Sequence, residues 1–182
     1  MFDTREGRAT LRAEVDRMKY EYHAHGVEMQ RTYVSGAVIS DGSPASEARD
    51  DDELIYRPNT RPGSVVPHVW LNHRLPGPRV STLDVAGKGR FMLFTGPGGE
   101  AWRDAAQQVA AETGVDIGTT SIGAFCDYED PYGWWADYAG TEEDGAVLVR
   151  PDHIVAWRSG SLPADPAAAL GGAMRSVLGL AR

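Results

Sequence analysis

The run Arg90-Phe91-Met92-Leu93-Phe94-Thr95, followed at once by Gly96-Pro97-Gly98-Gly99, constrains the fold more than any other stretch of this chain. A nearly continuous apolar run describes a strand buried on both faces rather than one half-exposed to water. The Gly/Pro cluster ends it in a tight connection. Glu100 to Thr113 then carries Ala101, Ala105 and Val109 on one stripe of a helix, and Gly114 ends it. Val115 to Ile122 supplies the next strand, so this part reads β-α-β. Asp144-Gly145 marks a turn, after which Ala146–Arg150 and Ile154–Arg158 form a hairpin. Ala164–Leu180 is a terminal helix with Asp165 near its start, Pro166 in its first turn and Arg182 beyond its end. Thr82–Val85 is expected to be a short strand, and Tyr132-Gly133-Trp134-Trp135 to open a short helix or turn. The fold class is therefore α/β, with the element order βαβ followed by ββα.

The upstream part is of a different character. Arg8 to His25 predicts a helix with Leu11, Val15, Met18, Tyr22 and His25 at alternating spacings of four and three, as in a heptad seam. Thr4 with Glu6 or Glu14 helps its start, and Gly26 is the expected left-handed stop. The stripe packs either on its own domain or on a second copy. Tyr33–Ile39 is expected to be a short strand. Residues 41–63 read as a loop, with a turn at Asp41-Gly42-Ser43-Pro44 and an acidic run at Asp50-Asp51-Asp52-Glu53. That run lacks the spacing of a calcium loop and is expected to be solvated. Pro58, Pro62 and Pro67 keep the next stretch extended. The expected divisions are an N-terminal helix and extension over 1–40, a loop-rich connector over 41–80 and the α/β domain over 81–182.

Composition excludes several classes. At 182 residues and 42% apolar content the chain suits one core. A net charge of −8 without a Lys/Arg cluster argues against nucleic acid and against an anionic membrane surface. No stretch has the length of a membrane-spanning helix, and Met1-Phe2-Asp3-Thr4-Arg5-Glu6 has no apolar core of a secretory signal. Cys126 is the one cysteine, so no internal disulfide is available, and the expected compartment is cytoplasmic. Between Phe125 and Asp127 it reads as a small buried residue.

A series of short motifs then points to a family. In order they are Pro62-Gly63-Ser64, Pro67-His68-Val69-Trp70-Leu71, Ser81-Thr82-Leu83-Asp84, Gly87-Lys88-Gly89-Arg90-Phe91 and Thr95-Gly96-Pro97-Gly98-Gly99-Glu100-Ala101-Trp102. Asp144 to Asp152 and Val155-Ala156-Trp157-Arg158 close the series. This set resembles the C-terminal part of FAD-dependent aromatic-ring hydroxylases of the phenol and chlorophenol monooxygenase family, from near Lys19 to about Arg158. The resemblance implies a thioredoxin-like domain, with the flavin-binding part of such an enzyme lying upstream. One departure concerns the hairpin, which in the family reads Arg-Pro-Asp-Gly-His-Val-Ala-Trp-Arg. Here His153 follows Asp152 where the family has a glycine, so the positive-φ turn position is expected to be shifted or strained.

The chemistry legible in the residues is sparse. The Thr95–Trp102 junction, where a thioredoxin carries its Cys-x-x-Cys pair, has no cysteine, which excludes thiol exchange there. Its glycine-rich turn lacks the Lys-Ser/Thr of a P-loop and the Gly-x-Gly-x-x-Gly of a dinucleotide fold, so it reads as structural. No metal site is expected, since the rings of His23 and His25 diverge on a helix. No cofactor is expected in this chain, and FAD enters only if an upstream domain or a partner supplies it. Candidate catalytic residues are His25 with Glu28, one helical turn apart as a base and its orienter, and His68 with Asp84. His68 also belongs to a segment that, by the resemblance, helps dock the tail onto the flavin domain. Trp70, Trp134 and Trp135 are candidate lining for a pocket that takes an aromatic small molecule. His73 and His153 read as loop residues.

Two functions follow from this reading. One is a stand-alone C-terminal module, related to aromatic (phenol or polyketide) hydroxylases, that forms a homodimer through the N-terminal helix or supports a separate flavin subunit. The alternative is a cofactor-independent enzyme of the cyclase, isomerase or pericyclase type acting on an aromatic or polyketide intermediate.

Overall fold

The computed structural model describes residues 3–43 and 49–180. Pro44 of the expected turn, the Met1-Phe2 start and Arg182 beyond the last helix lie outside the described residues. The chain divides into two units, one of Met1–Arg31 with Ala45–Arg57 and one of Thr32–Pro44 with Pro58–Arg182. No helix among the described residues is long and apolar enough to cross a membrane.

The first unit holds two helices, α1 (Arg5–Tyr22) and α2 (His25–Met29). Thr4 caps α1, its hydroxyl accepting from the Gly7 amide at 3.0 Å. The helix ends at His23, three residues before the expected stop at Gly26. Gly26 instead lies inside α2, pressed against the Asp52 carbonyl so closely that a Cβ would sit 1.7 Å from that oxygen. Its role is close approach, not a left-handed cap. The acidic run is tied down by Arg57, which pairs with Asp51 at 2.6 Å and Asp52 at 2.5 Å. The Arg57 guanidinium holds the Asp51 carboxyl below the usual carboxylate range.

The second unit is built on a four-stranded sheet of order β4-β3-β6-β7, with β3 Phe91–Thr95, β4 Ile117–Ser121, β6 Ala146–Val149 and β7 Val155–Ser159. β3 and β4 run parallel; β3–β6 and β6–β7 are antiparallel. All five residues of β3 are buried, as its apolar run requires. Phe91 and Leu93 face one core with α4 (Glu100–Thr113) and α6 (Pro166–Val177), packing near Trp102, Val109, Leu170 and Met174. Met92 and Phe94 face the other core, with Val66, Val69, Leu71 and Trp135. The order β3-α4-β4, then β6-β7-α6, is that expected from the sequence and is consistent with a thioredoxin-like domain preceded by an N-terminal helix and an irregular segment.

Local chemistry sets the boundaries. Gly114 closes α4 at φ 70°, and the Asp165 side chain caps α6 by accepting from the Ala168 amide at 2.8 Å, with Pro166 in the first turn. His153 keeps the turn position at φ 68° in place of the family's glycine. That left-handed position strains a residue with a Cβ, and the His153 ring there bonds the Leu83 carbonyl at 3.1 Å and packs over Gly87.

Two expected strands are corrected. Thr82–Val85 is a helical turn, α3, because Ser81 and Asp84 form a capping box around it. Tyr33–Ile39 is irregular; only Thr32 bridges Ser64, while Tyr33 and Ile39 donate to the carbonyls of Gly63 and Ala156. A second, three-stranded sheet of β2 (Val80–Ser81), β1 (Trp70–His73) and β5 (Tyr128–Glu129) was not expected from the sequence. α5 (Trp134–Ala139) follows Gly133, whose φ is 72°.

Candidate functional site

In open α/β sheets, ligands gather at the carboxyl ends of the strands. Here the Gly96-Pro97 turn leaves β3 at that edge and enters α4. Beside it lies a cleft of about 870 Å³. Its floor is organised by Asp127, whose carboxylate accepts from the Ser121 amide at 2.9 Å, the Ser121 hydroxyl at 3.0 Å and the Arg103 guanidinium. Burial pushes the Asp127 carboxyl up, but the Ser121 hydrogen bonds and Arg103 outweigh it and hold it below the usual range. Asp127 is thus an anion whose Oδ2 fastens the 121–127 loop. The loop displays Phe125 at φ 63° and 85% exposed, with Cys126 beside it. The Cys126 thiol points at the Ala124 carbonyl, 3.6 Å away, and is only part-exposed.

The turn itself does not fit the pyrophosphate of a dinucleotide. A Cβ on Gly96 would lie 2.4 Å from the Glu143 carbonyl oxygen, and one on Gly99 would lie 2.3 Å from the Thr95 Cβ. The space those glycines leave is filled by this chain's own backbone and side chains. The Gly98 amide already donates to the Glu143 carbonyl at 3.1 Å. These glycines let the turn pack closely on Thr95 and on the backbone of Glu143 and Asp144.

The sequence-derived candidates fall into four places. His25 and Glu28 are both exposed on α2; among the described residues they form no ion pair, and the His25 ring instead meets His23 edge-on at 6.1 Å. His68, Trp70 and Asp84 do come together. His68 Nδ1 lies 2.6 Å from the Ser81 hydroxyl, its ring meets Trp70 edge-on at 4.8 Å, and Asp84 accepts from the Ser81 amide at 2.8 Å. Ser81 joins the three and was missed by the sequence reading, although Ser-x-x-Asp is a capping-box spacing. Ser81 is 5% exposed and its hydroxyl accepts from the Leu83 amide, so the group knits a helix start and presents no open nucleophile. The neighbouring tryptophans part company. Trp134 stacks on Tyr132 at 4.9 Å near the surface, with the Arg79 guanidinium 5.4 Å from the Tyr132 ring. Trp135 is buried against Phe94 at 5.1 Å. His73 is in β1 rather than a loop, its ring beside Tyr128 at 5.2 Å. No group of three or more metal-ligating side chains occurs among the described residues. Arg103 and Asp127 carry no sequence signal, being brought together from 24 positions apart.

With this geometry in hand, the chain belongs to the family of the aromatic-ring hydroxylase C-terminal domain, whose model matches residues 59–181. It is 48% identical to a 2,4-dichlorophenol 6-monooxygenase of Cupriavidus pinatubonensis over 94% of this chain and 29% of that protein. It is 42% identical to a phenol 2-monooxygenase of a Pseudomonas species over 90% of this chain and 26% of that protein. Among solved structures it is similar to the flavin-dependent monooxygenase PieE in complex with FAD and substrate. There the TM-score is 0.86 and the identity 46%, covering 98% of this chain and 31% of that one. The chain thus spans less than a third of the length of these relatives.

Proposed function

We propose that this chain is the C-terminal interaction module of a flavin-dependent aromatic hydroxylation system. It engages a second copy of itself or a flavin-binding portion through the stripe of α1. The observation that carries this reading is that α1, 18 residues long, has no buried residue. Leu11, Val15, Met18 and Tyr22 are 45%, 41%, 54% and 74% exposed along one stripe. Isolated helices are marginal in water and gain most of their stability from packing an apolar face. A heptad-spaced stripe without cover is what a helix–helix contact needs. The names of the relatives, monooxygenases of phenols and, in PieE, an FAD-bound enzyme, support the setting. FAD would then come from an upstream domain or a partner, since the Gly96–Gly99 turn does not seat it.

Size-exclusion chromatography with light scattering tests this, on the chain alone over a concentration series and mixed with the flavin-binding portion of the Cupriavidus relative. The expected result is a dimer or a one-to-one complex that is lost in the double variant Val15→Asp/Met18→Asp. A monomer at every concentration that ignores the flavin-binding portion overturns the proposal.

A further inference from the structure

The cleft beside the Gly96-Pro97 turn runs along an open sheet edge. β4 is the last strand of the four-stranded sheet and pairs with β3 alone. The Phe91 amide donates to the Asp116 carbonyl, and the Ile122 amide donates to the Thr95 carbonyl. Alternate residues of a strand bond the same neighbour, so 116, 118, 120 and 122 turn their backbone groups to β3. Those of Thr119 and Ser121 point the other way. The Ser121 amide ends on the Asp127 carboxylate at 2.9 Å. The outward amide and carbonyl of Thr119 have no hydrogen-bond partner among the described residues, and Thr119 is part-exposed on the lining of the cleft. An unpaired amide and carbonyl on an accessible edge are a template for one more strand.

The geometry points to a groove that takes an extended segment of a second, different polypeptide as an antiparallel strand added at Thr119. Charge sets the chemistry of that segment. The side chains of a strand alternate between the two faces of its sheet. On the face that carries α4, the cleft wall holds Glu100 and Asp104, both exposed and without an ion pair among the described residues. Across the cleft stand Arg74, exposed and equally unpaired, and the apolar side chains of Leu75 and Phe125, 76% and 85% exposed. The segment that fits therefore carries basic side chains toward α4. On the alternate positions it carries an acidic one for Arg74 and an apolar one for Leu75 and Phe125. Phe125 is strained to stand there, since a bulky residue at φ 63° is rare outside places where the conformation serves a purpose. A second copy of this chain fits less well. Edge-to-edge pairing of two β4 strands about a two-fold axis sets the acidic α4 walls of the two copies side by side. The groove lies in the second unit and does not depend on the docking role proposed for α1.

Fluorescence anisotropy of a labelled peptide, acetyl-Ser-Glu-Lys-Leu-Lys-Ser-amide, titrated with the full chain tests the groove, and ¹H–¹⁵N spectra locate the contact. Its Glu and Leu fall on one face and its two lysines on the other. Saturable binding is expected, with Thr119 and Phe125 among the shifted amides and the Thr119 amide protected from hydrogen exchange. Thr119 shares a face with Ile117, which packs in the core of α4. The lysines therefore oppose Thr119 in antiparallel register, and methylating their backbone nitrogens should weaken binding about tenfold or more. Arg74→Glu should weaken it about tenfold. Phe125→Gly removes the ring and relieves the left-handed position, so it should weaken the peptide about tenfold while the urea midpoint holds or rises. Binding that does not saturate, equal binding of the methylated peptide or of one with Lys and Glu exchanged, or shifts that spare Thr119 overturn the proposal. Protection of the Thr119 amide that grows with chain concentration in the absence of peptide also overturns it and assigns the edge to a second copy. The titrations are run in the Val15→Asp/Met18→Asp background as well, so failure here leaves the docking proposal for α1 standing and the reverse also holds.

Discussion

Two helices of this chain follow opposite rules. α4 has 14 residues and buries Trp102, Ala105, Ala106 and Val109; α1 has 18 and buries none. Both are amphipathic by pattern. The stripe of α4 is built of alanines around one large tryptophan, which lets it lie close on α6 and β4. The stripe of α1 is built of larger, separated side chains at heptad spacing. Amphipathic patterning by itself therefore says that a helix has a partner, not that the partner is in the same chain. The packed helix is part of the core of its unit, whereas the open one stands on its cap and its local pairs, Arg17–Glu14 and Lys19–Asp16.

The largest effect expected from this contrast is on Trp102. Its ring is fully buried and its Nε1 donates to the Asp144 carbonyl at 2.8 Å. Trp102→Ala should cost about 3–5 kcal/mol, read as a fall in the urea midpoint. Met18→Ala on α1 should cost less than about 0.5 kcal/mol in the same assay when the chain is monomeric. Equal losses at the two positions would mean that α1 is packed in solution after all.

A smaller effect sharpens the comparison within the second unit. Gly99→Ala drives a Cβ into Thr95 and should cost about 1–3 kcal/mol, the usual range for overpacking. Gly172→Ala, in α6 with nothing within 4 Å of the added carbon, should instead gain up to about 1 kcal/mol from helix propensity. Thermal melts of the two variants check both signs.

The smallest expected effect is a pH dependence. Burial pushes the Asp41 carboxyl up, but hydrogen bonds from Ser43 and Arg158 prevail and set it below the usual range. A depressed folded value means that its stabilisation is fully present above the unfolded carboxylate value, about 3.9, and is lost as pH falls through the folded value. Asp41→Asn should therefore lower the urea midpoint at pH 7 and flatten its decline below about pH 4. Asp51, paired with Arg57 on the surface of the first unit, is the control: Asp51→Asn should leave the midpoint of the second unit unmoved at every pH.

The parts of the fold that were legible in the sequence are those whose signal is local. The uniform apolar run of β3, the helix from Glu100 to Thr113 with its terminal glycine, the hairpin after Gly145 and the Asp165-Pro166 helix start each carry their instruction within a few residues. Thr82–Val85 was misread because the Ser81–Asp84 capping box was not considered, and in the molecule two satisfied amides decide. The strand at Trp70–His73 was illegible because its partners, Val80–Ser81 and Tyr128–Glu129, are short and one lies more than fifty residues on. The candidate site was legible in pieces. His68, Trp70 and Asp84 were named as separate candidates, but Ser81, which stands between them, was not. Trp134 and Trp135 were grouped by adjacency, yet successive helical residues point about 100° apart, so one reaches the surface and the other the core.

By itself the sequence determined the α/β class, the βαβ–ββα order, the absence of a thiol pair at the Thr95–Trp102 junction and the family resemblance, because periodicity, turn chemistry and motif order are properties of neighbours along a chain. Only the tertiary structure decided that Asp127 is held by Ser121 and Arg103, that Thr119 turns its backbone to a cleft lined by the exposed Phe125, and that the stripe of α1 stays open. Those are statements about which distant groups share a space. Burial and hydrogen-bond satisfaction are fixed only when the whole core has closed around them.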